Sequence, residues 1–195
     1  MTGDKSKKIF VSSMVEIAEE IKRNSEIINI QQILELINFI LEIHRKSNLI
    51  FIYGAGRSGF IGRCFAQRLM HLGIKSCFIS DAITYRYTKD DLLILISGSG
   101  ETISTVAITQ NAKKIGGKIV VFTGNTESTI AKVSDLAIRV KGKSKDVVLN
   151  KITLAPYTSL FDISVLSILD SLTGTIMNLL GITERDIDKR HATLE

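Results

Sequence analysis

Two short segments concentrate glycine and hydroxyl residues in a spacing that suits an anion. The first is Gly54-Ala55-Gly56-Arg57-Ser58-Gly59 and the second is Ser97-Gly98-Ser99-Gly100-Glu101-Thr102. Each follows an apolar run and precedes a stretch with helical spacing. A chain that turns there aims backbone N–H groups and the positive end of a helix dipole at whatever binds. Glycines such as Gly56, Gly98 and Gly100 let the backbone approach a ligand closely. Ser58 and Arg57 add a hydroxyl and a fixed positive charge in the first segment, and Ser97, Ser99 and Thr102 add three hydroxyls in the second. Helix capping would use one hydroxyl, and the glycines alone could serve tight turns. Three hydroxyls within six residues exceed what a cap needs and match a monophosphate.

The first segment also fits a rival. Gly54 to Gly59 reads G-x-G-x-x-G between a strand and a helix, and Asp81 lies 22 residues beyond Gly59. That is the layout of a dinucleotide fingerprint, with the acid on a ribose. Two features count against it. A chain of 195 residues whose first 48 are helical leaves little for a substrate domain. The second Ser/Gly segment, moreover, has no task in a dinucleotide site.

Other residue types that could do chemistry have ordinary explanations. His44 ends a helix, where a cation complements the dipole. His71 falls late in a helix and reads as a packing or capping residue. His191 sits among Asp188, Lys189 and Arg190 in a charged tail. Asp162, by position alone, is a first-turn helix acid, and Glu101 is an acid supporting the 97–102 loop. Lys89-Asp90-Asp91 reads as a turn.

The elements that must position these residues follow from periodicity. Apolar residues at helical spacing mark helices at 11–22 and 27–45, expected to pack as a hairpin. The period then changes, and short apolar runs at 49–53, 75–79, 92–96, 118–122 and 135–140 read as buried strands. Helices at 58–72, 101–115, 126–133 and 157–180 separate or follow them, and 141–155 has no clear assignment. Strands alternating with helices predict an α/β fold, a doubly wound five-stranded parallel sheet with helices on both faces, two N-terminal helices and a long C-terminal helix. Ligands of such sheets sit at the carboxyl ends of the strands, where both glycine segments fall. The expected organisation is one domain over 1–195, divided into N-terminal helices (1–48), α/β core (49–182) and tail (183–195).

Composition narrows the function. The chain is 45% hydrophobic with one proline and 14 glycines, which fits a packed domain. Cys64 and Cys77 are in neither CxxC nor Cys/His spacing, so no metal site and no disulfide framework is expected, and a reducing compartment fits. The net charge is +5, but the basic residues are dispersed. The groups Lys5, Lys7, Lys8 and Lys141, Lys143, Lys145 lack interleaved aromatics, so no nucleic-acid partner is expected. No run of 18 apolar residues occurs, and Asp162 and Asp170 interrupt the most apolar stretch, 160–182. A cytoplasmic protein without a membrane partner is expected.

These residues resemble a known family. Phe51 to Gly62 (FIYGAGRSGFIG) and Leu95 to Thr102 (LISGSGET) look like the sugar isomerase, or SIS, domain. Arg63 to Gly73 (RCFAQRLMHLG) and the tail from Lys189 through His191 to Leu194 are similar to its 6-phospho-3-hexuloisomerase branch. The resemblance implies a flavodoxin-like sheet and a homotetramer. It also implies reversible isomerisation of D-arabino-hex-3-ulose 6-phosphate and D-fructose 6-phosphate through an enediol, with no metal or organic cofactor. It assigns phosphate binding to Ser58, Ser97, Ser99 and Thr102. Substrate contacts are assigned to Gly56, Arg57, Gly98, Gly100, Glu101 and Asp81.

The same resemblance offers acid/base residues. One is the carboxylate early in the last long helix, where Asp162 stands for the branch's glutamate. The other is His191, which can reach a neighbouring subunit. The chain departs from the branch's Met/Pro-x-Gly-Thr-x-Phe-Glu pattern, reading Pro156-Tyr157-Thr158-Ser159-Leu160-Phe161-Asp162. After the second strand, Ser80 to Tyr85 replaces a Gly-Glu-Thr-x-x-Pro-like stretch. Two acids are shortened, and two aromatics, Tyr85 and Tyr157, replace smaller residues. Two readings follow: an isomerase of a keto-sugar phosphate or another sugar phosphate, or a non-catalytic sugar-phosphate sensor. No DNA-binding segment accompanies the expected domain, which favours the enzyme.

Overall fold

The computed structural model describes residues 2–142 and 153–193. Lys143, Lys145, Leu194 and most of the unassigned 141–155 segment lie outside the described residues. Five short apolar runs form one parallel sheet: β1 (Ile50–Gly54), β2 (Ser76–Phe78), β3 (Leu92–Ile96), β4 (Lys118–Thr123) and β5 (Leu136–Arg139). The strand order is β2-β1-β3-β4-β5, so winding reverses between β1 and β3. Those two strands pair in register from Ile50 opposite Leu92 to Gly54 opposite Ile96. Their carboxyl ends therefore lie side by side at the topological switch point.

Both faces of the sheet are covered, which is why the strands read as continuous apolar runs. Leu92, Ile94 and Ile96 of β3 point into a core shared with Leu36, Phe65 and Leu169. Leu93 and Leu95 point the other way, against Ile119, Val121 and Ile130. The first face carries α2 (Ile30–Arg45), α3 (Arg57–His71) and α6 (Ser159–Leu179); the second carries α4 (Ile103–Ile115) and α5 (Thr129–Val133).

The N-terminal helix α1 (Thr2–Ile27) starts earlier than its apolar pattern suggests. Residues 3–10 are exposed and helical without burying a face. α1 and α2 both pack on α6, so the expected hairpin is replaced by two helices sharing a third. The face that α1 turns inward is mixed: Glu20 and Asn24 are buried and Ile17 and Ile21 half-buried, while Phe10, Met14 and Val15 face out. The inner line bonds to backbone. Asn24 Nδ2 donates to the Lys141 carbonyl at 2.9 Å, Lys141 N donates to Asn24 Oδ1 at 2.8 Å, and Glu16 Oε2 accepts from the Leu154 and Ala155 amides at 2.8 and 3.0 Å.

The C-terminal stretch is more ordered than a solvated tail. Thr183 and Asp186 form a reciprocal capping box that starts a short helix, α7 (Glu184–Asp188). Beyond it, Arg190 Nη1 donates to the His71 carbonyl at 3.0 Å, and His191 stacks on His71 with ring centroids 5.0 Å apart.

Candidate active site

A cavity of about 380 Å³ opens at the switch point, lined by the β1–α3 and β3–α4 loops and the start of α6. Each loop is shaped by glycine. Gly56 takes φ 57° before α3. Gly100 takes φ 67° and lies against the Ser128 side chain, so any Cβ there would collide. α3 and α4 then present their N-termini to the cavity, and the first amides of each helix have no intrahelical partner.

The second loop supplies donors. Ser97 Oγ accepts from Gly100 N at 3.2 Å, and Ser99 Oγ accepts from Glu101 N at 3.2 Å. In both cases the backbone uses the oxygen and leaves the hydroxyl proton to donate. Thr102 is the N-cap of α4 by backbone geometry, yet its side chain makes no capping bond. Simple capping therefore does not account for these hydroxyls. Three hydroxyls at a helix N-terminus are an arrangement that could cradle an oxyanion.

The opposite wall is charged. Asp162, in the first turn of α6, is 0% exposed. Its Oδ1 accepts from Ser58 Oγ at 3.0 Å, and its Oδ2 accepts from Thr158 Oγ1 at 2.7 Å. Arg57 Nε lies 3.1 Å from Oδ2, with the arginine side chain 55% exposed. Among the described residues, the other two guanidinium nitrogens have no ion-pair partner. Ser58, expected among the phosphate donors, lines the cavity and donates to Asp162 in this arrangement.

The remaining expected site residues divide as follows. Gly98 lines the cavity and packs against the Phe161 ring, which leaves 3.3 Å for a Cβ. Gly100 and Glu101 lie behind it. The Glu101 carboxylate accepts from Thr129 N at 2.7 Å, and bonds from Thr129 hold its carboxyl below the usual carboxylate range. It caps the start of α5. Asp81 is outside the cavity lining and pairs with Arg63 at 2.9 Å. His191 stacks on His71, at the end of α3 opposite Ser58. Fifteen residues of helix separate those ends by about 20 Å, so within one chain His191 does not join the site.

Sequence reasoning missed Thr158. Its hydroxyl four residues before an acid was the one available signal. Its backbone, at φ 66°, had none, because threonine rarely adopts that region. Among the described residues, no group of three or more His, Cys, Asp or Glu side chains is arranged to hold a metal ion. α6 is long and apolar enough to cross a membrane, but half of that window is buried inside the protein.

A five-stranded parallel sheet with two glycine-rich loops at its switch point defines the class. The SIS domain model matches residues 43–168, and the chain belongs to that family. Its curated relatives include 3-hexulose-6-phosphate isomerases of Methanocaldococcus jannaschii (42% identical; 76% of this chain, 78% of the relative) and Bacillus subtilis (34%; 93% and 97%). A crystal structure of a Methanococcus jannaschii protein, from which a 3-hexulose-6-phosphate isomerase function was inferred, superposes with TM-score 0.74. It is 36% identical, over 98% of this chain and 99% of that one. Within the SIS family this chain is an isomerase.

Proposed function

We propose that the chain interconverts D-arabino-hex-3-ulose 6-phosphate and D-fructose 6-phosphate. The observation that carries this reading is the pairing of a free-donor cradle with a carboxylate–arginine wall across one cavity. The cradle of Ser97, Ser99 and Thr102 suits the phosphate, and the wall suits the carbonyl end. A proton leaves C2 of the 3-ulose and returns at C3 through an enediol, while the hydroxyl proton moves between the two oxygens. The change is redox-neutral within the sugar and calls for no hydride carrier. Asp162 is the proposed base, and the free guanidinium nitrogens of Arg57 the proposed oxyanion partners.

The second proton-transfer group in this reading is His191 of another copy of the chain, in a homotetramer. Two free cysteines, exposed Cys64 and partly buried Cys77, fit a cytoplasmic enzyme. Incubation with fructose 6-phosphate in deuterated water, followed by NMR, tests the reaction. Loss of the C3 hydrogen signal is expected. Exchange at C1 would indicate an aldose–ketose isomerase instead, and binding without any exchange would favour a sugar-phosphate sensor.

A further inference from the structure

Among the described residues, Thr158 is one of two non-glycine residues with positive φ. A β-branched residue in the left-handed region is disfavoured and persists only where its surroundings hold it there. Thr158 stands at the N-cap of α6, but its side chain caps no helix amide. Its hydroxyl instead donates to Asp162 Oδ2 at 2.7 Å, and its carbonyl accepts from Asp162 N at 2.9 Å. Backbone and side chain of Thr158 thus both bind the same aspartate. That aspartate is fully buried and also holds Ser58 through Oδ1 and Arg57 through Oδ2. With Thr158 on one oxygen and Ser58 on the other, rotating the carboxylate would break both bonds. The Arg57 guanidinium, more than half exposed, has no other ion-pair partner among the described residues to fix its direction.

We propose that Thr158 is a positioning residue: its strained backbone places a hydroxyl that locks the Asp162 carboxylate and, through it, the aim of Ser58 and Arg57 at the cavity. This rests on the isomerase reading above. Three replacements separate the hydroxyl from the backbone. Thr158→Ser keeps the hydroxyl, Thr158→Ala loses it at the same unfavourable φ, and Thr158→Gly loses it while relieving φ.

In the isomerisation assay, kcat is expected to follow the hydroxyl. Ser should stay within about threefold of the wild type, and Ala and Gly should both fall about 10- to 100-fold, as misaimed catalytic groups do. KM should change less than threefold, because the cradle is untouched. Thermal stability is expected to follow the backbone, with Gly above Ala. A kcat that tracks Tm, or a Thr158→Gly enzyme with wild-type kcat, overturns the proposal.

A second readout does not depend on turnover. The Arg57 side-chain NMR signals, set by the ion pair with Asp162, should shift and broaden in the Ala and Gly variants but not in Ser. Unchanged Arg57 signals in all four proteins overturn the proposal. Wild-type protein that turns over no sugar phosphate removes the isomerase reading and leaves the Arg57 signal to decide Thr158.

Discussion

Ser97, Ser99 and Thr102 face one cavity, but they are not equivalent. Ser97 is buried, and its oxygen holds the Gly100 amide, so it shapes the loop as well as donating. Ser99 accepts from the Glu101 amide in the same way but is less enclosed, and Thr102 makes no capping bond. A hydrogen bond to a charged group contributes about 1.5–3 kcal/mol. Ser99→Ala and Thr102→Ala should therefore each raise KM about 10- to 100-fold with kcat nearly unchanged, as read from steady-state kinetics. In the proposed reaction Asp162 is the base and not part of the cradle. Asp162→Asn should lower kcat by ~10²–10⁴ while sugar-phosphate affinity by calorimetry stays near wild type. Asp162→Glu asks a buried site with both oxygens engaged to accept a methylene, so lower kcat and about 1–3 kcal/mol less stability are expected. The cradle was legible in the sequence because its donors lie within six residues. The opposite wall was legible only as candidates, because its bonds join Ser58 to a carboxylate 104 residues away.

At the scale of elements, the site depends on how closely α3 lies on β1. A Cβ on Gly59 would come within 2.5 Å of the Gly54 carbonyl oxygen and 3.3 Å of the Phe78 ring. Neither neighbour can swing away, since one is backbone and the other is core. Gly59→Ala should cost several kcal/mol in denaturant unfolding, or abolish folding, through overpacking. The other end of α3 carries a different balance. Burial, then the neighbouring His191 and Arg68, push the His71 imidazole below its ordinary pKa. Arg68, Asp170 and Glu184 share its cavity, and Arg190 bonds its carbonyl. The unfolded chain binds a proton at about pH 6.5 and the folded chain only at lower pH, so this part of stability is present above 6.5 and lost as pH falls below it. Melting temperature should drop between pH 7.5 and 5.5, and His71→Phe should flatten that slope. The strands and the helices from α2 to α6 were readable to within about three residues because both faces of the sheet are apolar. α1 was readable as a helix, with Ile17 and Ile21 on its inner side, but not in the buried Glu20 and Asn24 or the exposed Val15. A period shows that a face exists, and only tertiary bonds such as Asn24 to Lys141 show which face turns inward.

The outer face of that helix matters most at the scale of the whole molecule. Phe10 is 66% exposed and Met14 59%, with Ile9, Val11 and Val15 beside them on α1. Glu16 ties this helix to residues 154 and 155, so the exposed Leu154 and Tyr157 belong to the same region, and Tyr157 also lines the cavity. An apolar face of this kind is a surface for association, and symmetric homo-oligomers are the common outcome. Light scattering at micromolar concentration should give a multiple of the 21.5 kDa chain, and Phe10→Glu should shift it toward the monomer. A wild-type mass near one chain would remove the oligomer and with it any part for a second copy in catalysis. The position of His191 makes the sharper test. In its own chain it lies about 20 Å from Ser58, at the far end of α3, so it can serve a cavity only in a neighbour. Asp162→Asn and His191→Ala should each be nearly inactive alone. Refolded together, they should recover part of the wild-type rate, because some cavities then combine an intact Asp162 with an intact His191 from another chain. Full activity of His191→Ala alone would instead confine this histidine to holding the tail against His71. The second proton-transfer group would then have to be sought among residues of the cavity itself, with the Ser58 hydroxyl on Asp162 the first to examine.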